Sequence, residues 1–237
     1  MNLVVMPTYN ECDNIEPMVK AVLAYPWLHM LVVDDSSPDG TAERVRTLMA
    51  GAFSGRLFLL ERSGKLGLGT AYLAGFRWAL ERNYEAIFEM NADFSHNPAD
   101  LPRLNEALAT ADLVIGSRYV KGGGVENWGV VRRILSMGGS LYARIILNLP
   151  VRDVTGGFKA FRRTALESLA LERVRSNGYS FQVEMNYRVH QKGLRIQEIP
   201  IIFADRRVGA SKMNRRIILE AVQMVWQLRW SALRGRL

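Results

Sequence analysis

The sequence predicts an α/β protein built on an open, largely parallel sheet flanked by helices. Three observations carry this: short β-branched runs alternate with amphipathic segments through the first half, capping residues open the helical segments, and polar clusters follow the apolar runs. The runs Leu3–Met6, Met30–Val33, Leu57–Leu60, Ala86–Met90 and Leu113–Gly116 read as strands. Between them, Asp13 precedes a helical stretch to about Tyr25, Asp39-Gly40-Thr41 opens one to about Met49, and Gly69–Arg82 reads as a third. A fourth begins at Asn97-Pro98, where Asn caps and Pro suits the first turn.

Beyond Ser117 the pattern loosens into Gly122-Gly123-Gly124. Helices are then expected over about Val131–Asn148 and Phe181–Lys192, with a strand over Arg195–Phe203. A long amphipathic helix over about Asn214–Leu233 closes the chain, with Ile217, Ile218, Val222, Val225 and Trp226 among flanking arginines. It can pack on the domain or lie on a membrane surface. With no repeat and no linker, the expectation is one domain over 1–212 with a C-terminal helical extension over 213–237.

The 237 residues are enough for one sizeable core. A hydrophobic fraction of 49% with 23% charged residues excludes a disordered or collagen-like chain. One cysteine, Cys12, cannot form an internal disulfide, and three scattered histidines make no zinc pattern, which fits a reducing cytoplasmic setting. No secretory leader is expected ahead of Leu3. The longest uncharged stretch, Ala21–Val33, falls short of the roughly 20 apolar residues of a spanning helix.

Charge is unevenly placed. Residues 1–118 hold 10 Lys/Arg and 15 Asp/Glu, a net of −5, whereas residues 119–237 hold 21 against 8, a net of +13. The basic half asks for an anionic partner: nucleic acid, an acidic membrane or a phosphorylated substrate.

In a parallel α/β sheet, ligands bind beyond the carboxyl ends of the strands. Pro7-Thr8-Tyr9-Asn10-Glu11, Asp34–Thr41, Asn91–His96 and Ser117-Arg118-Tyr119 all follow strand-like runs, which places one site along one sheet edge. If Asn91-Ala92-Asp93 stays extended, both polar side chains point the same way, an oxygen pair suited to Mg²⁺ or Mn²⁺ bridging a diphosphate. The alternative is a turn with a helix cap. No G-x-G-x-x-G, P-loop or G-x-S-x-G pattern is present, which argues against NAD, P-loop and serine-hydrolase chemistry. No RNA- or DNA-binding pattern accompanies the basic half, so nucleic acid is not expected as a partner.

The ordered blocks V-M-P-T-Y-N-E (5–11), V-V-D-D-S-S-P-D-G-T (32–41), G-K-L-G-L-G-T-A-Y (64–72), N-A-D-F-S-H-N-P (91–98), G-S-R-Y (116–119), W-G-V-V-R-R-I-L-S (128–136), D-V-T-G-G-F-K (153–159) and F-A-D-R-R-V-G-A-S-K (203–212) resemble glycosyltransferase family 2. More narrowly they resemble the dolichol/polyprenol-phosphate mannose synthases, with a GT-A, Rossmann-like fold. The resemblance spans about residues 3–212. It implies that Pro7, Tyr9, Glu11, Val33 and Asp35 hold the nucleotide of a GDP-sugar, and that Asn91, Asp93 and Ser95 hold the divalent ion and diphosphate. It implies that Arg206 and Lys212 offset leaving-group charge from a mobile loop, and that Arg118, Arg132 and Ser136 grip the acceptor lipid phosphate. The family has Asp where this chain has Asn91, which removes one negative charge. The implied reaction is inverting transfer of mannose from GDP-mannose to a polyprenyl monophosphate at the cytoplasmic face of a membrane. UDP-glucose is the alternative donor, a basic nucleic-acid-binding module the alternative class, and whether a membrane-anchoring subunit assists is open. Gly156-Gly157 and Glu184 read as structural support, Asp153 as a cap or nearby pairing partner, and His96 as a hydrogen-bonding residue behind the site.

Overall fold

The computed structural model describes residues 1–205 and 215–235. Its elements run β1 Asn2–Thr8, α1 Cys12–Leu23, β2 Leu28–Asp34, α2 Thr41–Ala50, β3 Leu57–Glu61, α3 Leu68–Leu80, β4 Ala86–Glu89, α4 Leu101–Ala107 and β5 Leu113–Ser117. Then come β6 Gly124–Val125, α5 Val130–Leu147, β7 Lys159–Arg162, α6 Arg163–Ser168, α7 Gly178–Gln191, β8 Ile196–Pro200, β9 Ile202–Phe203 and α8 Arg215–Leu233.

Seven strands form one sheet in the order β3-β2-β1-β4-β7-β5-β8, and β6 pairs with β9 separately. All neighbours in the large sheet are parallel except β7, which runs antiparallel between β4 and β5. Its inner strands β1, β2, β4 and β5 are buried on both faces, which is why they read as continuous apolar runs, while the edge strands β3 and β8 are only half-buried. Along β1, Leu3 and Val5 enter one core with α3 and α7, while Val4 and Met6 enter the other with α1 and α4. The strand order reverses at β1, so the carboxyl ends of β1 and β4 flank the switch point where such sheets bind ligands.

The five predicted strands and the helices between them are present. Three local differences stand out. The first helix begins at Cys12 with Glu11 at its N-cap and no side-chain cap bond, so Asp13 lies inside its first turn instead of preceding it. The run Arg195–Phe203 is two strands, because the chain passes from pairing with β5 to pairing with β6 at Ile201, whose N–H donates to Ser117 and whose carbonyl accepts from Gly124. Strand β7 and helix α6 have no counterpart in the sequence reading. Lys-Ala-Phe-Arg does not look like a central strand, yet Lys159 is wholly buried in register opposite Glu89. At residue 97 the expectation holds: Asn97 Oδ1 accepts the Ala99 N–H at 3.0 Å, with Pro98 next.

Helix α8 packs on the domain through Val225 and Leu228, and the Tyr142 hydroxyl of α5 donates to the Val222 carbonyl at 3.3 Å. No helix among the described residues is long and apolar enough to cross a membrane. Helix α5 nevertheless leaves Val130, Ile134, Met137, Leu141 and Ile145 between 46% and 73% exposed, on one stripe at 3–4 residue spacing.

Candidate active site

Pro7, Thr8, Tyr9, Glu11, Asp35, Lys65, Gly67, Leu68, Ala71, Asn91, Ala92 and Asp93 surround a cleft of about 210 Å³ at the switch point. The sequence-predicted nucleotide residues Pro7, Tyr9, Glu11 and Asp35 therefore converge with Asn91 and Asp93. Val33 does not line the cleft; its side chain is wholly buried in the core with Ala71 and Tyr72. Arg206 and Lys212 lie outside the described residues.

The walls are tied together by short-range polar bonds that leave strand-end backbone little freedom. Wholly buried Asp34 accepts from the Thr8 hydroxyl at 2.8 Å and from the Ser37 hydroxyl and N–H at 2.6 and 2.8 Å. Asp39 accepts the Cys12 N–H at 3.0 Å and the Thr41 hydroxyl at 2.6 Å, and Thr41 in turn accepts the Glu11 N–H. The first two strand ends are thereby locked to the starts of α1 and α2.

The segment after β4 is not extended, in contrast to the condition attached to the Asn-x-Asp reading. It bends sharply: Asp93 Oδ1 accepts the Ser95 N–H at 3.1 Å and its hydroxyl at 2.5 Å, and Phe94 adopts a left-handed φ of 58°. Asn91 and Asp93 still line the same cleft, one bend apart. Ser95 is 1% exposed and its hydroxyl is committed to Asp93, so it orients that carboxylate from behind. Asn91 and Asp93 supply only oxygen donors and one formal charge, a set that fits a hard divalent cation completing its shell with other oxygens. Among the described residues no cluster of three His, Cys, Asp or Glu side chains could hold a metal unaided.

His96 supports this bend. Its Nδ1 accepts the Asn91 N–H at 3.1 Å, which requires the neutral ring, and the ring stacks on Phe158 at 4.8 Å. Burial pushes the imidazole down to about 4. Between pH 6.5 and 4 the folded chain therefore binds fewer protons than the unfolded one, and stability falls as pH falls, by about 1.4 kcal/mol per pH unit from this group. Urea unfolding at pH 7 and pH 5 is expected to show the loss, and His96→Gln is expected to flatten it; equal slopes in both proteins would refute the assignment.

Under the site, Glu89 of β4 faces Lys159 of β7 in register. Burial pushes the Glu89 carboxyl up to about 7 and the Lys159 ammonium down to about 8, and the attraction between them opposes both shifts. Gln182 bridges them: its side-chain amide donates to Glu89 at 2.7 Å and its backbone carbonyl accepts from Lys159 at 3.1 Å.

A second polar cluster lies where β5 meets α5. Arg118 forms a buried two-point pair with wholly buried Asp153, Nε to Oδ2 at 2.7 Å and Nη2 to Oδ1 at 2.6 Å, and also donates to Thr155. Asp153 is thus the pairing partner the sequence reading allowed. Arg132 lies 4.0 Å over the Trp128 ring and pairs with Asp205 at 2.9 Å, while Ser136 accepts from the Tyr119 hydroxyl at 2.7 Å. Trp128 and Phe203 stand within 5.5 Å of the Arg118 guanidinium, so Arg118, Arg132 and Ser136 belong to one neighbourhood.

A larger hollow of about 360 Å³ lies between α7 and α8 and contains none of the predicted site residues. Glu184 there pairs with Arg188 and accepts the N–H groups of Arg175 and Ser176, a structural part as expected. Two residues at the nucleotide cleft received no role from sequence reasoning. Lys65 stands 3.8 Å over the Tyr9 ring, and Arg62 pairs with Asp35 at 2.6 Å. Lys65 lay within a quoted block, and Arg62 lies two residues before it.

The sheet with its switch-point cleft, the oxygen pair after the fourth strand and the neighbouring arginine cluster agree with the GT-A arrangement that the resemblance implied. The sequence profile described as Glycosyl transferase family 2 matches residues 3–170, and the chain belongs to that family. Within it, the chain is similar over nearly its full length to the polyprenol-phosphate mannose synthases. An undecaprenyl-phosphate mannosyltransferase of Micrococcus luteus is 48% identical over 99% of this chain and 98% of its own length. A polyprenol monophosphomannose synthase of Mycolicibacterium smegmatis is 46% identical, over 99% and 88%. Among solved structures, the glucosyl-3-phosphoglycerate synthase of Mycobacterium tuberculosis with Mn²⁺ and UDP-glucose superposes with a TM-score of 0.66 at 19% identity, covering 98% of this chain and 78% of that one. A mannosyltransferase of Pyrobaculum calidifontis with GDP-Man and Mn²⁺ gives 0.60 at 20%, covering 99% and 74%. These two likenesses concern the fold.

Proposed function

We propose that the protein transfers mannose from GDP-mannose to a polyprenyl monophosphate, with inversion at the sugar C1, giving polyprenyl-phosphate mannose and GDP. The observation that carries this reading is the linkage of two clusters, the Pro7–Glu11–Asp35–Asn91–Asp93 cleft and the Arg118–Tyr119–Arg132–Ser136 group, through His96, which accepts the Asn91 N–H and meets Phe203 at 5.5 Å on the ring that also faces Arg118, with the exposed apolar stripe of α5 on the second cluster's own helix. The names of the two relatives above 45% identity support the sugar and the acceptor class.

Pro7, Tyr9, Glu11 and Asp35 hold the nucleoside, with Val33 supporting the wall from the core. The acceptor phosphate monoester is largely dianionic at neutral pH, because its second pKa is near 6, and needs no protein base. One of its oxygens bonds to C1 as the bond from C1 to the β-phosphate oxygen breaks, and the electron pair leaves with GDP. Arg132 and Ser136 align the acceptor phosphate; Arg118, paired with Asp153, holds the adjoining backbone in place beside that phosphate. Arg206 and Lys212 act on the departing diphosphate. A divalent ion, Mg²⁺ or Mn²⁺, held by Asn91 and Asp93 with Ser95 behind them, supplies charge stabilisation to that diphosphate when bound.

Residues 1–212 form the catalytic unit and 213–237 the extension. The acceptor is a membrane lipid, and the protein meets it peripherally at the cytoplasmic face, through the α5 stripe between exposed Arg133 and Arg144 and through Trp226 and Trp230 of α8. Burying an aliphatic side chain is worth at least about 1.5 kcal/mol. The double variant Ile134→Glu, Leu141→Glu is therefore expected to weaken sedimentation with anionic vesicles by about 10²-fold while leaving GDP binding intact. Unchanged sedimentation would remove this face from the reading.

Labelled GDP-mannose and UDP-glucose, each offered with a short polyprenyl phosphate and Mn²⁺ or Mg²⁺, test the reaction. A mannolipid from GDP-mannose that disappears with EDTA is expected. Product from UDP-glucose alone would overturn the donor, and product unaffected by EDTA would overturn the metal.

A further inference from the structure

Arg62 directly follows β3. Its guanidinium is nearly buried and spreads over three partners from two parts of the chain: Nε donates to Asp35 Oδ1 at 2.6 Å, Nη1 to the Thr70 hydroxyl at 2.8 Å and Nη2 to the Gly67 carbonyl at 3.2 Å. Its backbone joins the same junction, since the Arg62 N–H donates to the Asp34 carbonyl at 2.8 Å and its carbonyl accepts the Ser36 hydroxyl at 2.5 Å. One side chain thus connects the end of β2, the end of β3 and the start of α3. Asp35 and Gly67, two of its partners, line the cleft.

We propose that Arg62 is a positioning residue for the donor nucleotide: it sets the Asp35 carboxylate and the 64–69 loop in the arrangement that receives the nucleoside. The inference rests on the nucleotide reading of this cleft. Arg62 takes Asp35 Oδ1, and no hydrogen bond to Oδ2 is found among the described residues, which leaves that oxygen to accept from a base or ribose N–H or O–H. The pair also neutralises Asp35, so the carboxylate suits a neutral hydrogen-bond donor and does not repel the diphosphate beyond it. The loop needs a second hold, which Asn177 supplies from the N-cap of α7. Its Oδ1 accepts the Gly69 N–H at 2.9 Å and its Nδ2 donates to the Leu66 carbonyl at 3.3 Å. Between these two clamps Gly67 sits at φ +100°, where an added Cβ would lie 1.9 Å from Asn177 Nδ2. Lys65, carried by the clamped loop, is thereby held over Tyr9 at the cleft wall.

Arg56 provides the control. It is a partly buried arginine before β3, bonded to the carbonyls of Leu23, Tyr25 and Leu28, and it does not line the cleft. Calorimetric titration with GDP, UDP and ADP is made on wild type, Arg62→Gln, Arg62→Lys, Arg56→Gln, Asp35→Asn and the Arg62→Gln, Asp35→Asn double variant, with thermal unfolding of each. Arg62→Gln is expected to raise the GDP Kd by about tenfold or more, with Arg62→Lys between it and wild type and Arg56→Gln within about twofold of wild type. The double variant is expected to lose less than the two singles combined, because both act through one carboxylate. In the transfer assay the donor KM is expected to rise by the same factor while kcat changes less than about threefold. The inference is overturned if Arg62→Gln binds GDP within about twofold of wild type, if Arg56→Gln loses as much affinity at equal stability, or if the Arg62 and Asp35 losses are additive. Wild type preferring UDP would overturn the GDP reading alone, with the same comparisons then made on UDP. Wild type binding no nucleoside diphosphate would overturn both.

Discussion

Asp93→Asn is expected to lower the rate of sugar transfer by about 10³-fold while leaving the fold intact. The magnitude follows from the several kcal/mol of charge stabilisation a bound divalent ion gives a developing diphosphate, at 1.4 kcal/mol per factor of ten. Asp93 is the only carboxylate of its turn, since position 91 is Asn, so the substitution leaves two neutral amides at the proposed ion site. The fold survives because an amide oxygen can still accept from the Ser95 N–H and hydroxyl that Asp93 Oδ1 now takes at 3.1 and 2.5 Å. Initial rates across a Mn²⁺ titration, with a thermal unfolding curve as control, make the test. Activity within threefold of wild type would show that the negative charge at 93 is not what holds the ion. Asn91→Asp runs the other way and is expected to saturate at lower Mn²⁺.

The largest stability effect is expected at Asp153. Its side chain is wholly buried, accepts the Arg118 N–H at 2.9 Å and holds both guanidinium contacts. Asp153→Ala strands the Arg118 cation in a site that excludes water, and breaking a buried pair in this way costs about 3–5 kcal/mol. That is a large part of the roughly 5–15 kcal/mol that keeps a domain folded. Removing both charges, as in Arg118→Met with Asp153→Leu, is expected to recover much of the loss, because no uncompensated charge remains. Urea unfolding of the three proteins decides it: a loss under about 1 kcal/mol in Asp153→Ala would mean that Arg118 finds another partner or water.

Much of this architecture was legible in the sequence, for a physical reason. Strands buried on both faces must be nearly all apolar, so Leu3–Met6 and Met30–Val33 announced themselves, and the polar residues after them marked the sheet edge where Pro7, Glu11, Asp35, Asn91 and Asp93 converge. What stayed hidden depends on partners distant in the chain. Lys159 is a credible strand residue only when Glu89 stands opposite it, 70 positions earlier. Arg118 read as a ligand for the acceptor phosphate, and only the fold shows its tight pairing with Asp153, 35 positions on. The resemblance groups Val33 with the nucleotide residues, whereas both faces of β2 are covered and Val33 packs in the core with Ala71 and Tyr72. Arg62 stays hidden for the same reason: Gly67 and Thr70 are near it in sequence, but its ionic partner Asp35 lies 27 positions earlier and meets it only when the strand ends are assembled.

The antiparallel β7 between β4 and β5 also bears on how the chain is made. Strand β5 has only β7 and β8 as neighbours, and both are encoded after it. On a ribosome adding about 5–20 residues per second, the 42 residues from Ser117 to Lys159 take about 2–8 s. The half formed by β1 to β4 can pair as it emerges, whereas β5 waits through that interval with both edges bare and an apolar sequence, Leu-Val-Ile, on display. Arrival of Lys159–Arg162 then closes two strand interfaces at once. The chain between β5 and β7 is accordingly the stretch during which a nascent molecule most needs a chaperone's cover.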